Sequence, residues 1–262
     1  MGRAESWAAR LAPEPFRDFL PYVSASALKV VHVSQVLRKT VAVAQHFSSS
    51  AERDGHALRL QESLQASGLG DQLAVATAPG ARFDPAVLGE HDRRRVGERV
   101  LALYFHMLRS DGPWFLDLRP RNFGWDAAAQ RLVFYPTSLW YQPDSEFVRR
   151  VRSLYAGFYR NDSAELAAGI GLYCWECVPA SGFGERIESL LRDHFGPGDA
   201  SEMRFAVAHF RQTFDAIFEE VAQSRAKLHP DLTFLGVELV GLYLTLEAVA
   251  VPLSPRRAFE NQ

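Results

Sequence analysis

Apolar positions along the chain change their period near residue 84, and that change organises the prediction. Residues 7–20 have an amphipathic helical pattern interrupted by Pro13 and Pro15. Two β-branched runs follow, Ala27 to Val33 and Thr40 to Ala44, which predict strands joined through Arg38-Lys39 as a hairpin connection. Residues 51–67 are polar and periodic and predict a helix. Leu73 to Thr77 predicts a short strand, closed by the Pro79-Gly80 breaker. From Asp84 onward the spacing becomes helical: Val96, Val100, Leu103, Met107 and Leu108 mark a helix over Arg93 to Arg109, stopped by Ser110-Asp111-Gly112-Pro113. Trp114 to Trp125 and Gln130 to Tyr135 predict a loop and a short hairpin-like pair. Five helices are predicted after Ser145, at about 145–160, 163–177, 183–195, 201–226 and 230–250. The apolar stretch Leu232 to Leu253 contains Glu238 and Glu247, which predicts a buried helix rather than a transmembrane one.

Composition narrows the class. Of the 262 residues, 47% are apolar and 12% aromatic, enough for a sizeable core, and the chain has no internal repeat or low-complexity linker. The net charge of −2 excludes a general polyanion binder, so no nucleic-acid partner is expected. Asp92-Arg93-Arg94-Arg95 reads as the solvated start of a helix. Two cysteines alone, Cys174 and Cys177, predict no disulfide framework and fit a reducing, cytoplasmic compartment. Their C-x-x-C spacing has redox and half-zinc-site readings, but no second such pair or clustered histidines accompany it, so buried structural cysteines are expected. The N-terminal segment lacks the apolar core of a secretory signal. Met1-Gly2 with Ser6 matches a short myristoylation pattern, which carries little weight.

The loop Asp117-Leu-Arg-Pro-Arg-Asn122 holds the candidate chemistry. A carboxylate and an amide five residues apart, after a helix and before a hairpin, suit phosphoryl transfer. There the Asp orients the attacking hydroxyl and the Asn ligates a metal ion. With a small β-containing front, a long helix and an all-helical tail, the element order is that of a bilobal kinase. These residues resemble the UbiB/AarF/ADCK atypical kinases, whose loop reads H-A-D-P-H-P-G-N: the Asp, middle Pro and Asn keep their spacing in Asp117, Pro120 and Asn122. The family's alanine-rich loop and Val-His pair are similar to Ser24 to His32, and its Val-Ala-Val-Lys strand to Val41 to Ala44. Its hinge strand is similar to Gln72 to Thr77, and its late helices to Val148–Asp162 and His229–Val251.

The resemblance implies an α+β, protein-kinase-like bilobal fold, with residues 1–83 as a reduced N-lobe (a small sheet plus helices) and residues 84–262 as a mostly helical C-lobe carrying the catalytic-loop hairpin. It also exposes departures. The family's ATP-contacting lysine falls on Ala44, and its metal-binding Asp-Phe-Gly on Pro136-Thr137-Ser138. Arg119 and Arg121 replace His and Gly, and the N-terminal Lys-x-Gly-Gln extension is absent. Phosphoryl transfer depends on charge placed by metal and lysine, so ATP and Mg²⁺ are disfavoured and no cofactor is expected.

The leading expectation is a pseudokinase-like binding or accessory protein. The resemblance sets it in biosynthesis of an isoprenoid, quinone or other lipophilic metabolite. Its partner would be a small hydrophobic molecule or a biosynthetic protein; no transmembrane segment is expected, though peripheral membrane contact is compatible. Arg119, Arg121, His106, Trp114, Phe134 and Trp140 are candidate pocket residues, because aromatics crowd the loop and could line an apolar site; packing is the alternative role for them and for His106. Two alternatives remain open. One is an enzyme using Asp117 for acid–base chemistry on a hydrophobic substrate, with an arginine stabilising negative charge. The other is an atypical phosphotransferase using Asp117 and Asn122, whose loop also resembles that of aminoglycoside-type phosphotransferases. No metal site is expected. The acidic residues Glu202, Asp215, Glu219 and Glu220 spread around their helix as a solvated face.

Overall fold

The front of the chain departs most from its sequence pattern. The computed structural model describes residues 18–22, 24–46, 50–78, 80, 82–136, 139–175, 177–178, 180–196, 198–199 and 201–261. The myristoylation pattern, most of the 7–20 helix, Pro79, Thr137 and Ser138 lie outside them. Both runs read as strands are helices, α1 (Ala25–Val30) and α2 (Val33–His46), with Arg38 and Lys39 inside α2 rather than in a hairpin. Ser24 starts α1, its hydroxyl accepting from the Ala27 N–H at 3.1 Å. Strand preference belongs to a pleated, half-buried surface. These residues instead bury one helical side: Thr40 and Val43 are buried while Leu37 and Val41 are exposed. Periodicity outweighs β-branching here.

Next come α3 (Ser50–Ala66) and β1 (Leu73–Val75), close to their predicted ranges. Helix α4 (Glu90–Arg109) buries the predicted stripe, adds Tyr104 and Phe105 to it, and ends where the Ser110 N–H bonds to the His106 carbonyl. Four short strands follow: β2 (Trp114–Phe115), β3 (Phe123–Asp126), β4 (Arg131–Phe134) and β5 (Trp140–Tyr141). Strands β3 and β4 form the expected antiparallel hairpin. On its other edge β4 pairs in parallel with β1, Leu73 opposite Leu132 and Val75 opposite Phe134. Strands β2 and β5 pair separately, Trp114 opposite Tyr141.

The rear is helical: α5 (Ser145–Arg160), α6 (Ser163–Ile170), α7 (Phe183–Phe195), α8 (Val207–Gln223), α9 (Leu232–Val249) and α10 (Pro255–Glu260). Two predicted helices are shorter than their patterns. The 163–177 segment leaves the α-helix at Ile170 for a 3-10 turn at Gly171–Tyr173, and the 201–206 segment is outside a helix, with Met203 bridging to Leu253. Helix α10, started by Ser254 and Pro255, carries no prior signal in the apolar spacing. Helices α5 and α6 pack closely because Gly157 and Gly169 lack side chains. A Cβ at Gly157 would lie 2.2 Å from the Leu166 nitrogen, and one at Gly169 would lie 2.5 Å from the Leu154 Cα.

The molecule is therefore a helix-rich α+β fold, about 61% helix and 8% strand, with a small sheet. Helix α9 is long and apolar enough to cross a membrane, yet 72% of it is buried inside the fold, against α4 and α8. The buried reading of Leu232 to Leu253 matches that placement, and Glu238 lies fully within this helix's buried side.

Candidate functional site

The segment around Asp117 is tied down on both sides. The Leu116 N–H bonds to the Leu139 carbonyl at 2.8 Å, extending the β2–β5 pairing. The Leu118 carbonyl accepts from the Thr245 hydroxyl of α9 at 2.5 Å. Close approach to α9 depends on Gly241, where a Cβ would sit 2.8 Å from the Leu118 nitrogen. Gly241→Ala is expected to push the loop off α9 and destabilise the protein by about 1–3 kcal/mol, the usual cost of overpacking. A urea midpoint unchanged from the parent would show that the loop has another way to seat.

Within the loop, Asp117 and Asn122 are each only 1% exposed. Both Asp117 carboxylate oxygens are occupied. Arg119 donates from Nε to Oδ1 at 2.6 Å and from Nη2 to Oδ2 at 2.8 Å, while Arg121 donates from Nη2 to Oδ2 at 2.9 Å. The Arg119 backbone N–H adds a longer contact at 3.3 Å. Arg119 also reaches Asp18 with Nη1 at 2.7 Å and lies over the Phe19 ring at 4.6 Å. A short 3-10 turn at Pro120–Asn122, Pro120 at its start, brings both guanidinium groups back over the carboxylate. Asn122 turns inward, donating from Nδ2 to the Asp117 carbonyl at 2.7 Å, and its own carbonyl accepts from the Tyr135 N–H at 2.8 Å.

Burial by itself pushes the Asp117 carboxyl up. The hydrogen bonds and charges of Arg119 and Arg121 outweigh it and hold the group below its ordinary value. Burial likewise lowers Arg119, but Asp117 and Asp18 more than offset that and raise it. A carboxylate held ionised in a fork of two arginines is a weak proton acceptor, and both of its oxygens are already engaged by guanidinium groups. The arrangement is a closed charge clamp.

The aromatic residues named as pocket candidates pack on neighbouring rings. Phe115 meets Phe134 edge-on at 4.9 Å and Trp140 at 5.4 Å, and Trp114 packs on Phe147 at 5.8 Å. Trp114 and Phe134 are buried almost completely, and Trp140 nearly so. His106, on α4, has its Nε2 2.9 Å from the Ser63 hydroxyl, and burial lowers its pKa. Of the candidate residues, Asp117, Arg119, Arg121 and Asn122 form one cluster; His106 and the three aromatics do not contribute polar groups to it. Ala44 falls within helix α2, and Pro136 is buried just after β4.

A second polar constellation escaped the sequence reading. Lys39 of α2 forms an ion pair with Asp231, which has no exposed surface, and its Nζ also donates to the Tyr141 hydroxyl at 3.3 Å. The other Asp231 oxygen accepts from the Asp144 N–H at 2.9 Å. The Asp231 N–H donates to His229 Nδ1 at 3.1 Å, so that nitrogen carries no proton. Burial moves Tyr141 up, reinforced by Asp231. The missed signal was helical periodicity around Lys39, masked by neighbouring valines.

Beside His229 lies the C-x-x-C segment. Cys174 and Cys177 are joined in a disulfide, which corrects the expectation of buried, unpaired thiols: Cys174 is half-buried and Cys177 exposed. The pattern Ile170, Leu172, Tyr173 suggested a continuing helix, but the helix has already ended. No family model matches this chain, and no curated protein matches it either.

Proposed function

We propose that this chain is a degenerate member of the UbiB/AarF/ADCK atypical kinases, with a kinase-like bilobal arrangement that serves binding or assembly rather than phosphoryl transfer. The observation that carries the reading is the Asp117 clamp: the oxygens that would orient an attacking hydroxyl are taken by Arg119 and Arg121, and the Asn122 amide is spent on the loop's own backbone. The helix–loop–hairpin order of α4, β3 and β4 supports the family assignment. Pro136, just after β4 where the resemblance puts the metal-binding aspartate, supports loss of transfer, because it cannot hold a divalent cation. Ala44, being in helix α2 and not in a strand, no longer bears on the phosphate lysine. The resemblance places the role in biosynthesis of a lipophilic metabolite, where the chain binds a small hydrophobic molecule or a biosynthetic partner protein.

Thermal unfolding with ligands tests this directly. Addition of ATP with Mg²⁺ is expected to leave the unfolding temperature unchanged, while an isoprenoid quinone raises it by a few degrees relative to a detergent-only control. Stabilisation by ATP with Mg²⁺ would restore the atypical-phosphotransferase reading. An unresponsive protein with the quinone would remove the lipophilic ligand and leave the protein partner.

A further inference from the structure

The Cys174–Cys177 disulfide sits in an open cleft of about 610 Å³, lined by Arg150, Gly171, Cys174, Trp175, Cys177 and Val178. We propose that it is a thiol–disulfide exchange site for an acidic low-molecular-weight thiol, a thiol-bearing peptide with free carboxylates. The inference stands apart from the kinase-like reading and uses a different part of the molecule.

Three observations carry it. First, the bond joins cysteines only three positions apart, so it closes a very small loop and contributes little through chain entropy. The turn has other anchors: the Trp175 N–H bonds to the Lys227 carbonyl at 2.8 Å, and the His229 N–H bonds to the Leu172 carbonyl at 2.8 Å. Trp175 also packs edge-on against His229 at 4.2 Å, and the Arg150 guanidinium lies 5.4 Å from its ring centre. The backbone on the Cys174 side of the bond is therefore anchored independently of it. Second, Cys177 is exposed and the adjacent Val178 is 94% exposed, so an incoming thiolate has access to the Cys177 sulfur. Third, the cleft has the dimensions of a small-molecule site and carries a cation. Arg150 gives its Nε to Glu146 at 2.7 Å, and its Nη1 lies over the turn, where a Cβ on Gly171 would come within 2.1 Å of it. A guanidinium there attracts a carboxylate on the thiol.

The exchange balances with the thiol as the only co-reactant. A thiolate RS⁻ attacks the Cys177 sulfur, the Cys174–Cys177 bond breaks, and its electron pair leaves on Cys174. A second RS⁻ attacks the R sulfur of the mixed disulfide, releasing RSSR and the Cys177 thiolate. Two RSH become RSSR, and the protein takes up their two electrons and two protons.

Glutathione is the probe. The chain is equilibrated over ratios of reduced to oxidised glutathione, its thiols are counted by alkylation and mass, and near-UV circular dichroism is followed in parallel. The thiol count is expected to follow the ratio while the dichroism stays native. Cys174→Ser, which leaves Cys177 free, is expected to take up glutathione as a mixed disulfide about tenfold faster than Cys177→Ser. Arg150→Gln is expected to slow exchange with glutathione about fivefold without changing exchange with uncharged 2-mercaptoethanol, and Arg150→Lys to recover part of the loss. A disulfide that opens only as the protein unfolds is a structural staple, and the proposal is then wrong. Equal rates in the two cysteine variants, or an Arg150→Gln effect that is the same for both thiols, also overturn it.

Discussion

Glu238→Met is expected to stabilise the protein at pH 7.5 by about 1–3 kcal/mol, the penalty attached to a buried polar group left without a hydrogen-bond partner. Glu238 sits in the middle of α9 with no exposed surface, and neither carboxylate oxygen has a hydrogen-bond partner among the described residues. Burial pushes its pKa well above the ordinary value. A proton is therefore bound more tightly in the folded state than in the unfolded one. Its linkage contribution is fully present below the unfolded value of about 4.3 and is lost as pH rises from there toward the folded pKa. Parent stability should fall over that interval, and Glu238→Gln, which does not titrate, should flatten the fall. Denaturant midpoints measured from pH 4 to pH 8 read both effects. If Glu238→Gln keeps the parent's pH slope, the carboxyl is not held neutral in the fold.

Asp117→Ala acts in the opposite direction, costing about 3 kcal/mol as measured by urea unfolding. It leaves Arg119, whose side chain is only 12% exposed, without its buried partner, and Asp18, half exposed, is a weaker replacement. Asp117 is held below its ordinary pKa, so its contribution is present above the unfolded value of about 3.9 and is lost as pH falls through the folded one. The variant should therefore differ most from the parent near neutrality and converge with it in acid. Removing the buried pair of the cluster, with Asp117→Leu and Arg119→Met together, should cost less than Asp117→Ala alone. The remaining Arg121 and Asp18 are about half exposed, so no uncompensated buried charge is left. A double variant weaker than the single one would show that the clamp supplies more than charge pairing.

The rear of the chain was largely legible because single-face burial imposes a clear period. The α4 stripe from Val96 to Leu108 and the hairpin around Phe123 and Phe134 fall close to their predicted positions. The front was not legible, since Val41, Val43 and Thr40 favour a strand locally while the burial of one side favours a helix. The same misreading concealed Lys39, whose partner is distant in sequence. In the loop, the sequence placed Asp117, Arg119, Arg121 and Asn122 together. What it could not tell is which way each group points, and that direction decides whether the carboxylate is available for chemistry or occupied by guanidinium. The cysteines illustrate the same limit: spacing allowed a redox pair, but only the early end of α6 brings the two sulfurs together on an accessible turn.

The tie between Lys39 and Asp231 spans 192 positions, and Lys227 donates to the Lys29 carbonyl across 198. Helices such as α3 and α4 can form from local contacts, but the front must wait for the residues that hold it. During synthesis α1 and α2 emerge ahead of α3 and α4 yet complete their ties only after residues 227–231 have left the ribosome. Until then the apolar side of α2, with Val43, stays open to solvent and to other chains. Translation speed through the second half, rather than the strength of the finished contacts, would then govern how much of the protein reaches its native form.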